Sequence, residues 1–309
     1  MIEPFSCTAG VNFAVADSSG DVFLCTNFMR AAHPVKLGNI YEGISLSDNR
    51  YRCTEEFCIC PQYKFDPGLY DKAVRPNRWF ARHVPYDLWL HWYVTDECFL
   101  SCVYCEAGNR PFVKKNIRRI NIPALIRTLD NLNRTVHLSF TGGGEPFAVP
   151  NMTDACAAIT RKHFISFNSN LLGIDMARFL SAIDPGRLLY IQGSLHLKEL
   201  ERTRNIERFA QNYRACRSFG VKVNVVAVGI PSVIPEIPKF KKIFSGQGVE
   251  FTFAPFSGVY EGRRYPEAYT DADLKALGMS PETARTHKVE GPVGSILARV
   301  RAVLRSGGE

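Results

Sequence analysis

Hydrophobic and polar residues alternate in several short segments of the chain, and longer segments with helical spacing lie between them. The first alternation, at Val11, Phe13 and Val15, is followed by a polar turn and an apolar return at residues 22–24, which predicts a β-hairpin. Further strands are predicted at residues 88–95, 136–140, 164–168, 188–194, 221–228 and 250–254. Helices are predicted at residues 121–132, 151–162, 175–183, 203–219, 235–245, 271–280 and 293–305, and one more directly after residue 105.

Regular alternation of strands and helices predicts a parallel α/β sheet, because right-handed crossovers return each strand to the same direction. Two of these strands carry polar residues at every second position. They are Ser166, Asn168 and Asn170 in the third strand, and Gln192, Ser194 and His196 in the fourth. If these side chains faced the outer helices, each would be buried without a hydrogen-bond partner, at a cost of about 1–3 kcal/mol. We therefore expect them to face the interior of the barrel.

Composition narrows the class of protein. The 309-residue chain carries a formal charge of +8, but its basic residues are scattered in short groups, and no nucleic-acid module or basic-aromatic platform is recognisable. No signal peptide or apolar run of membrane-spanning length is seen, so we expect a cytoplasmic protein without a membrane partner. In that compartment the ten cysteines are expected to be metal ligands rather than disulfides.

The strongest chemical signal is the C-x3-C-x2-C segment formed by Cys98, Cys102 and Cys105. Three thiolates can hold three corners of a [4Fe-4S] cluster and leave the fourth iron open for chemistry. The alternatives are a zinc knuckle or a chance grouping. With an aromatic residue, Tyr104, before the third cysteine, the segment resembles the signature of the radical S-adenosylmethionine (SAM) superfamily. The resemblance implies that the open iron binds SAM, which is cleaved to a 5'-deoxyadenosyl radical.

A glycine-rich loop after the second predicted barrel strand strengthens this resemblance. Its residues Gly142, Gly143, Gly144 and Glu145 match the GGE motif of the family, which implies a backbone site for the SAM amino group. The six strand-helix units of residues 88–257 resemble the family's partial (β/α)6 TIM-type barrel, in which ligands bind at the C-terminal ends of the strands.

The same resemblance suggests which other side chains bind SAM. Asn168 and Ser194 are implied for the ribose and carboxylate, Asn224 for the adenosine, and the Tyr104 backbone for the adenine edge. His196 has two interpretations, a hydrogen-bonded core histidine or an acid or base acting on the substrate.

Five further cysteines precede the predicted barrel. The hairpin is expected to bring Cys7 and Cys25 together, and Cys53, Cys58 and Cys60 follow in a loop-rich segment. The spacing from Cys7 through Gly20 to Cys25 resembles the opening of the SPASM/twitch modules, which implies a second, auxiliary [4Fe-4S] cluster. The family usually carries this module after the barrel, whereas here it precedes it. A structural zinc site is the alternative, and which four of the five cysteines are ligands stays open.

These assignments predict four regions. Residues 1–65 form the small cysteine-rich β-hairpin module, 66–87 a linker, 88–257 the barrel, and 258–309 a substrate loop with closing helices. In the last region Arg263 and Arg264 are candidates for gripping a phosphate or carboxylate of the substrate. Cys156 and Cys216 lie within helical segments and are expected to be buried for packing.

The predicted function is hydrogen abstraction from a polar substrate. A sugar or aminocyclitol is the first candidate, with dehydrogenation favoured over epimerisation, since epimerisation needs a thiol to return a hydrogen atom. Modification of a ribosomally made peptide is the alternative, and a non-catalytic iron-sulfur or zinc scaffold is a third. A radical SAM enzyme would also need an external one-electron donor such as flavodoxin or ferredoxin.

Overall fold

A computed structural model of the chain describes residues 5–7, 9–30, 34–49, 51–53, 85–105 and 118–280. The early strands are β1 Phe5–Cys7, β2 Phe13–Ala16, β3 Asp21–Phe23, β4 Lys36–Asn39, β5 Gly43–Ile44 and β6 Tyr51–Cys53. The later strands are β7 Leu88–Tyr93, β8 Val136–Thr141, β9 Phe164–Ser169, β10 Leu188–Leu195, β11 Val223–Gly229, β12 Thr252–Pro255, β13 Gly258–Tyr260 and β14 Arg263–Tyr265.

The helices are mostly short and lie between the later strands. They are α1 Thr26–Arg30, α2 Ile122–Asn131, α3 Met152–Ile159, α4 Met176–Ala182, α5 Leu197–Arg202, α6 Ile206–Ser218, α7 Ile237–Gly246 and α8 Asp271–Ala276. Short 3₁₀ helices cover Pro146–Ala148, Pro185–Arg187 and Pro231–Glu236. Their starts follow from local chemistry, since the Asn121 side chain accepts from the Ala124 amide and Thr270 forms a capping box with Asp273. In the described residues, no helix has the length and apolar character needed to span a bilayer.

The six strands from β7 to β12 are parallel neighbours in chain order. Helices connect them, as strand-to-strand crossovers in a parallel sheet require. The predicted partial (β/α)6 architecture, with a hairpin of the cysteine-rich segment before it, is therefore confirmed. The predicted helix after residue 105 and the one at residues 293–305 fall outside the described residues, as does most of the predicted linker.

The N-terminal hairpin of β2 and β3 continues the barrel sheet. Strand β2 pairs in parallel with β7, with Phe13 opposite Trp89 and Ala16 opposite Trp92, and β3 to β5 follow antiparallel. Strands β1 and β6 form a separate antiparallel pair. The boundary between module and barrel stays a prediction, but hydrogen-bonded backbone joins the hairpin to the first barrel strand.

The two faces of the parallel sheet differ in chemistry. The outer face carries apolar side chains that pack against the helices, as Phe167 does against Phe179 of α4, with ring centroids 5.7 Å apart. The opposite face, reached by every second residue, carries imidazole, hydroxyl, amide and aromatic groups. We define this inner face by residues of β7 to β10: Trp89, His91, Tyr93, His137, Ser139, Thr141, Phe164, Ser166, Asn168, Tyr190, Gln192 and Ser194.

The structure adds two elements that the sequence did not predict. The helix predicted at residues 203–219 is present as α6, but the short helix α5 precedes it, separated from it by a segment in which Arg204 takes a left-handed conformation with φ of 58°. The predicted loop at residues 255–269 contains the hairpin of β13 and β14. Its turn residues Glu261 and Gly262 both have positive φ, which is the geometry of a two-residue hairpin turn.

Candidate functional site

The three clustered cysteines lie on the loop that follows β7, at the carboxyl ends of the parallel strands. Cys102 is buried, whereas Cys98 is exposed. The loop folds back on itself, since the Cys105 amide donates to the Cys102 carbonyl at 3.0 Å and the Leu100 amide lies 3.5 Å from the Cys98 sulfur. The edge of the sheet where partial barrels bind ligands therefore carries all three thiols.

The glycine loop after β8 holds the start of the cysteine loop in place. The Gly144 amide donates to the Thr95 carbonyl at 3.0 Å, and the Glu145 amide donates to the Glu97 carbonyl at 2.7 Å. A Cβ atom at Gly144 would lie 2.1 Å from the Glu97 carbonyl oxygen, so only glycine allows this approach. Two of the amides expected to face a ligand are thus used for contact between the two loops.

The Glu145 carboxylate joins the glycine loop to the end of β9. Its Oε1 accepts from the Ser169 hydroxyl at 2.7 Å and the Phe147 amide at 3.1 Å, and its Oε2 accepts from the Asn170 amide at 2.7 Å. Burial raises the pKa of this carboxyl to about 7, although the three hydrogen bonds act in the other direction. Glu145 therefore fixes the relative positions of two strand ends.

Side chains directly after β9 and β10 lie beside two of the cysteine sulfurs. The side-chain nitrogen Nδ2 of Asn170 lies 3.6 Å from the Cys98 sulfur. His196 Nδ1 lies 3.2 Å from the Cys102 sulfur and 2.8 Å from the Tyr104 hydroxyl. Hydrogen-bonding groups beside the sulfurs are typical of thiols that bind a metal centre, because such contacts orient the ligands and tune their charge.

The first turn of α5 also fixes the backbone of the cysteine loop. The Ser101 amide donates to Glu199 Oε2 at 2.9 Å, and Arg202 pairs with the same carboxylate. His196 caps this helix, and burial lowers its pKa to about 4, so its ring is neutral at pH 7. The structure thus places His196 against the cysteine loop, and a role as acid or base toward a substrate stays a prediction.

Three cysteines on one loop are the number of protein ligands that a [4Fe-4S] cluster with one open iron requires. Among the described residues no three His, Cys, Asp or Glu side chains converge as ligands of one ion. A [4Fe-4S] cluster does not need such convergence, because each of its cysteines binds a different iron. Burial raises the pKa of Cys102 to about 12, so this thiol becomes a thiolate when a nearby cationic centre offsets the cost of the charge.

The other predicted SAM-binding residues are more dispersed. The Asn168 amide donates to the Thr141 hydroxyl at 3.2 Å, and both lie near the carboxyl end of the inner face. Ser194 lies on β10, two residues after Gln192, which is the residue opposite Asn168. Asn224 is exposed near the start of β11 and lines a cleft with Arg214. Asn224 pairs with Gln192, which pairs with Asn168, so both asparagines lie in one row across the sheet, and their roles toward SAM stay predictions.

The predicted substrate arginines lie on β14. Both Arg263 and Arg264 are exposed. The aromatic residues around them are used for packing, since Tyr265 and Tyr269 are buried and the Tyr269 hydroxyl donates to the Gly229 carbonyl at 2.6 Å. The arginines remain available to a substrate, and their role stays a prediction.

The N-terminal cysteines approach the inner face of the sheet. Cys7 and Cys25 are buried in one small cluster with Phe13, Val15 and Trp89, so the hairpin brings them into the same packed region as predicted. Cys53 lies on β6, which pairs with the strand that carries Cys7. Cys58 and Cys60 lie outside the described residues.

Sequence reasoning missed two histidines on the inner face, the buried His137 and the partly exposed His91. His137 is only 1% exposed, and it stacks on Trp89 with ring centroids 5.7 Å apart. His91 lies on the neighbouring strand, edge-on to the same tryptophan at 6.2 Å. The alternation of Trp89, His91 and Tyr93 with Leu88, Leu90 and Trp92 was the available signal, because it assigns the histidine to the less apolar face.

Comparison with known proteins agrees with this geometry. Residues 92–244 match the model of the radical SAM superfamily. The matched span contains the three clustered cysteines, the glycine loop and the strands β8 to β11. This span of the chain is therefore similar to a radical SAM domain.

Several solved structures resemble the chain. One is native anSMEcpe with bound AdoMet, at 20% identity and a TM-score of 0.46, covering 62% of this chain and 59% of that one. Another is Streptococcus suis SuiB bound to the precursor peptide SuiA, at 18% identity and a TM-score of 0.41, covering 75% and 53%. A third is a radical SAM methyltransferase from Sphaerobacter thermophilus, at 19% identity and a TM-score of 0.39, covering 60% and 62%.

The chain therefore spans less than two thirds of the length of these three proteins. No curated protein matches the sequence.

Proposed function

We propose that this protein is a radical SAM enzyme whose Cys98, Cys102 and Cys105 hold a [4Fe-4S] cluster. The observation that supports it most is the set of contacts joining the cysteine loop to the glycine loop and to His196 and Asn170. These contacts tie a thiol-rich loop to three different strand ends. When bound, the cluster and SAM supply a 5'-deoxyadenosyl radical that abstracts a hydrogen atom.

The chain's own residues hold the loops of this site in place. The glycine loop carries the cysteine loop through two backbone hydrogen bonds, and the buried Glu145 carboxylate fixes the glycine loop to β9. Gly142, Gly143 and Asn168 lie at the same strand ends and are proposed to contact SAM, with Ser194 and the Tyr104 backbone. Rigid support of this kind matters because hydrogen abstraction requires the reacting atoms to be held close together.

The test is anaerobic reconstitution with iron and sulfide, followed by dithionite and SAM, with 5'-deoxyadenosine as the measured product. We expect Cys102→Ala to abolish the product and to lower the iron content by about four atoms per chain. Cys156→Ala is the matched control, because Cys156 is a buried cysteine of α3 that contacts Met152 rather than the site. Full product formation by Cys102→Ala would refute the proposal.

We further propose an auxiliary cluster held by Cys7, Cys25 and two of Cys53, Cys58 and Cys60. Its support is the burial of Cys7 and Cys25 against Trp89, which lies on the inner face. A protein lacking Cys98, Cys102 and Cys105 should then retain about four irons per chain, or about half of the wild-type content. Zinc in place of iron would instead support a structural zinc site, and a metal-free protein would refute both.

For the substrate we propose a polar molecule such as a sugar or aminocyclitol, and oxidation rather than epimerisation. Epimerisation requires a thiol near the substrate radical, but Cys156 and Cys216 are both buried in the core between sheet and helices. Once a substrate is known, turnover in deuterium oxide tests the outcome. Solvent deuterium at a substrate carbon, lost in a single cysteine variant, would show epimerisation.

A further inference from the structure

The inner face of the barrel is polar but carries no formal charge on its strands. At its middle level His91, Ser139, Ser166 and Tyr190 lie side by side on four neighbouring strands. At the level below, Trp89, His137 and Phe164 lie side by side on three of them. Every inner-face position of β7 to β10 is occupied by an imidazole, hydroxyl, amide or aromatic residue.

The two histidines have hydrogen-bonding capacity that the described residues do not use. His137 Nε2 lies 2.8 Å from the Ser166 hydroxyl, but its Nδ1 is buried without a partner. His91 Nδ1 is likewise buried and unpartnered among the described residues. A buried polar atom without a partner costs about 1–3 kcal/mol, so two of them on adjacent strands mark a place where a ligand would be stabilised.

The charge state of the rings restricts what that ligand can be. Burial lowers the pKa of His91 to about 4 and that of His137 to about 3, so both rings are neutral at pH 7. A neutral imidazole offers one donor and one acceptor and does not compensate a buried anion. The rings of Tyr86 and Trp89 flank His137, with centroids at 4.7 and 5.7 Å. These aromatic walls further lower the polarity around any charged group.

We infer that His91 and His137 form a neutral binding pair inside the barrel that receives an uncharged hydrogen-bonding group of the substrate, a hydroxyl or a carboxamide. The inference rests on the proposed function for the identity of the ligand as substrate. It extends that function by excluding phosphate and carboxylate from this depth of the barrel, so that any charged part of the substrate lies nearer to the exposed Arg263 and Arg264.

The test uses small probes that differ in charge. Reconstituted protein with SAM present is labelled with ¹⁵N-histidine, and the ring signals are assigned with single His→Gln variants. Acetamide represents a carboxamide, glycerol represents a hydroxyl, and acetate is the anion with the shape of acetamide. We expect saturable shifts of the His91 and His137 ring signals with acetamide, with glycerol or with both, and none with acetate at matched ionic strength.

His163 provides an internal control. It is also buried, its Nδ1 accepts from the Val136 amide at 3.1 Å, and its Nε2 has no partner among the described residues, but it lies outside the inner face. Its signals should stay unchanged with every probe. A His137→Phe variant, which keeps a ring on Trp89, should lose the saturable response at His91 or bind the probe several-fold more weakly.

Response to acetamide alone would indicate an amide-bearing substrate, and response to glycerol alone a hydroxyl-bearing one. Three results would overturn the inference: no shift of either ring signal with acetamide and glycerol, an equal shift with acetate, or a shift of the His163 signals as well. Production of 5'-deoxyadenosine by the same preparation separates the two proposals. If 5'-deoxyadenosine forms but the ring signals of His91 and His137 do not shift, only the histidine pair is rejected. If the ring signals shift but no 5'-deoxyadenosine forms, the radical SAM function is rejected.

Discussion

The outer and inner faces of the same parallel strands have opposite chemistry. On the outer face Phe167 stacks on Phe140 of the neighbouring strand at 4.9 Å between ring centroids, and on Phe147 of a 3₁₀ helix at 4.6 Å. On the inner face neutral histidines keep unpartnered nitrogens at comparable burial. Adjacent residues of one strand thus serve different purposes. The outer residue contributes stability, and the inner residue forgoes some stability to remain available for binding.

The outer face should be the most sensitive to truncation. Phe167→Ala removes a ring that contacts Phe140, Phe147 and Phe179, and we expect a loss of about 3–5 kcal/mol in the free energy of unfolding. Denaturant unfolding with Phe167→Leu as the milder control measures it. A loss below about 1 kcal/mol would show that the outer face is loosely packed.

The buried His137 of the inner face should make the protein less stable in acid. The pKa of His137 is about 3 in the folded protein against an ordinary value of 6.5, so its contribution to stability is complete above pH 6.5 and declines as the pH falls toward 3. The slope should reach about 1.4 kcal/mol per pH unit. His137→Phe should lose this slope, which unfolding curves at several pH values would measure.

The buried Glu145 should make the free energy of unfolding depend on pH in the opposite direction. Its folded pKa of about 7 exceeds its ordinary 4.5, so its contribution is complete below pH 4.5 and is lost as the pH rises through 7. Because Glu145 is present in both proteins, it cancels when wild type and His137→Phe are compared. Parallel pH profiles for the two proteins would contradict the assignment of a neutral buried His137.

Removing a single hydrogen bond on the inner face should lower the free energy of unfolding by less than removing the Phe167 ring. Ser166→Ala removes the hydroxyl that contacts His137 Nε2, and we expect a destabilisation of about 1–2 kcal/mol from the newly unpaired nitrogen. Ser139→Ala, at the same level of the neighbouring strand, is the matched comparison. Equal losses from the two variants would argue that the histidine contact has no special weight.

The smallest effect is expected outside the packed layers. Lys162 pairs with Asp130 at 2.7 Å, but both side chains are about half exposed. Lys162→Ala should therefore change the free energy of unfolding by less than about 1 kcal/mol, and the difference should shrink further in high salt. A larger, salt-independent loss would show that this pair supports the contact between α2 and the turn before β9.

Regular periodicity made most of the barrel predictable. The six parallel strands were located to within a few residues, because alternation and apolar runs depend on burial, which the fold preserves. The short helix α5 was not predicted, since its six residues are too few to show a clear helical period and the Arg204 turn that follows it gives no local signal. The parallel pairing of β2 with β7 was missed because pairing between distant segments leaves little trace in either one.

The candidate site was predictable in its cysteines and glycines but not in its supports. Cys98, Cys102, Cys105 and the glycine loop were recognisable from spacing alone. The contact of Glu199 with the Ser101 amide joins residues 98 positions apart and has no sequence signature. Likewise, Gly144 was interpreted as leaving room for a ligand, whereas the structure shows that it leaves room for the backbone at Glu97.

The pairing of β2 with β7 also has a consequence for self-association. An unpaired strand at the side of a sheet offers a row of free amide and carbonyl groups to other molecules. Here β2 covers that side of β7, and the sheet then ends at β5, a strand of only 2 residues. A chain lacking the first 53 residues would leave β7 uncovered, and we expect it to aggregate through strand addition even where its barrel still folds.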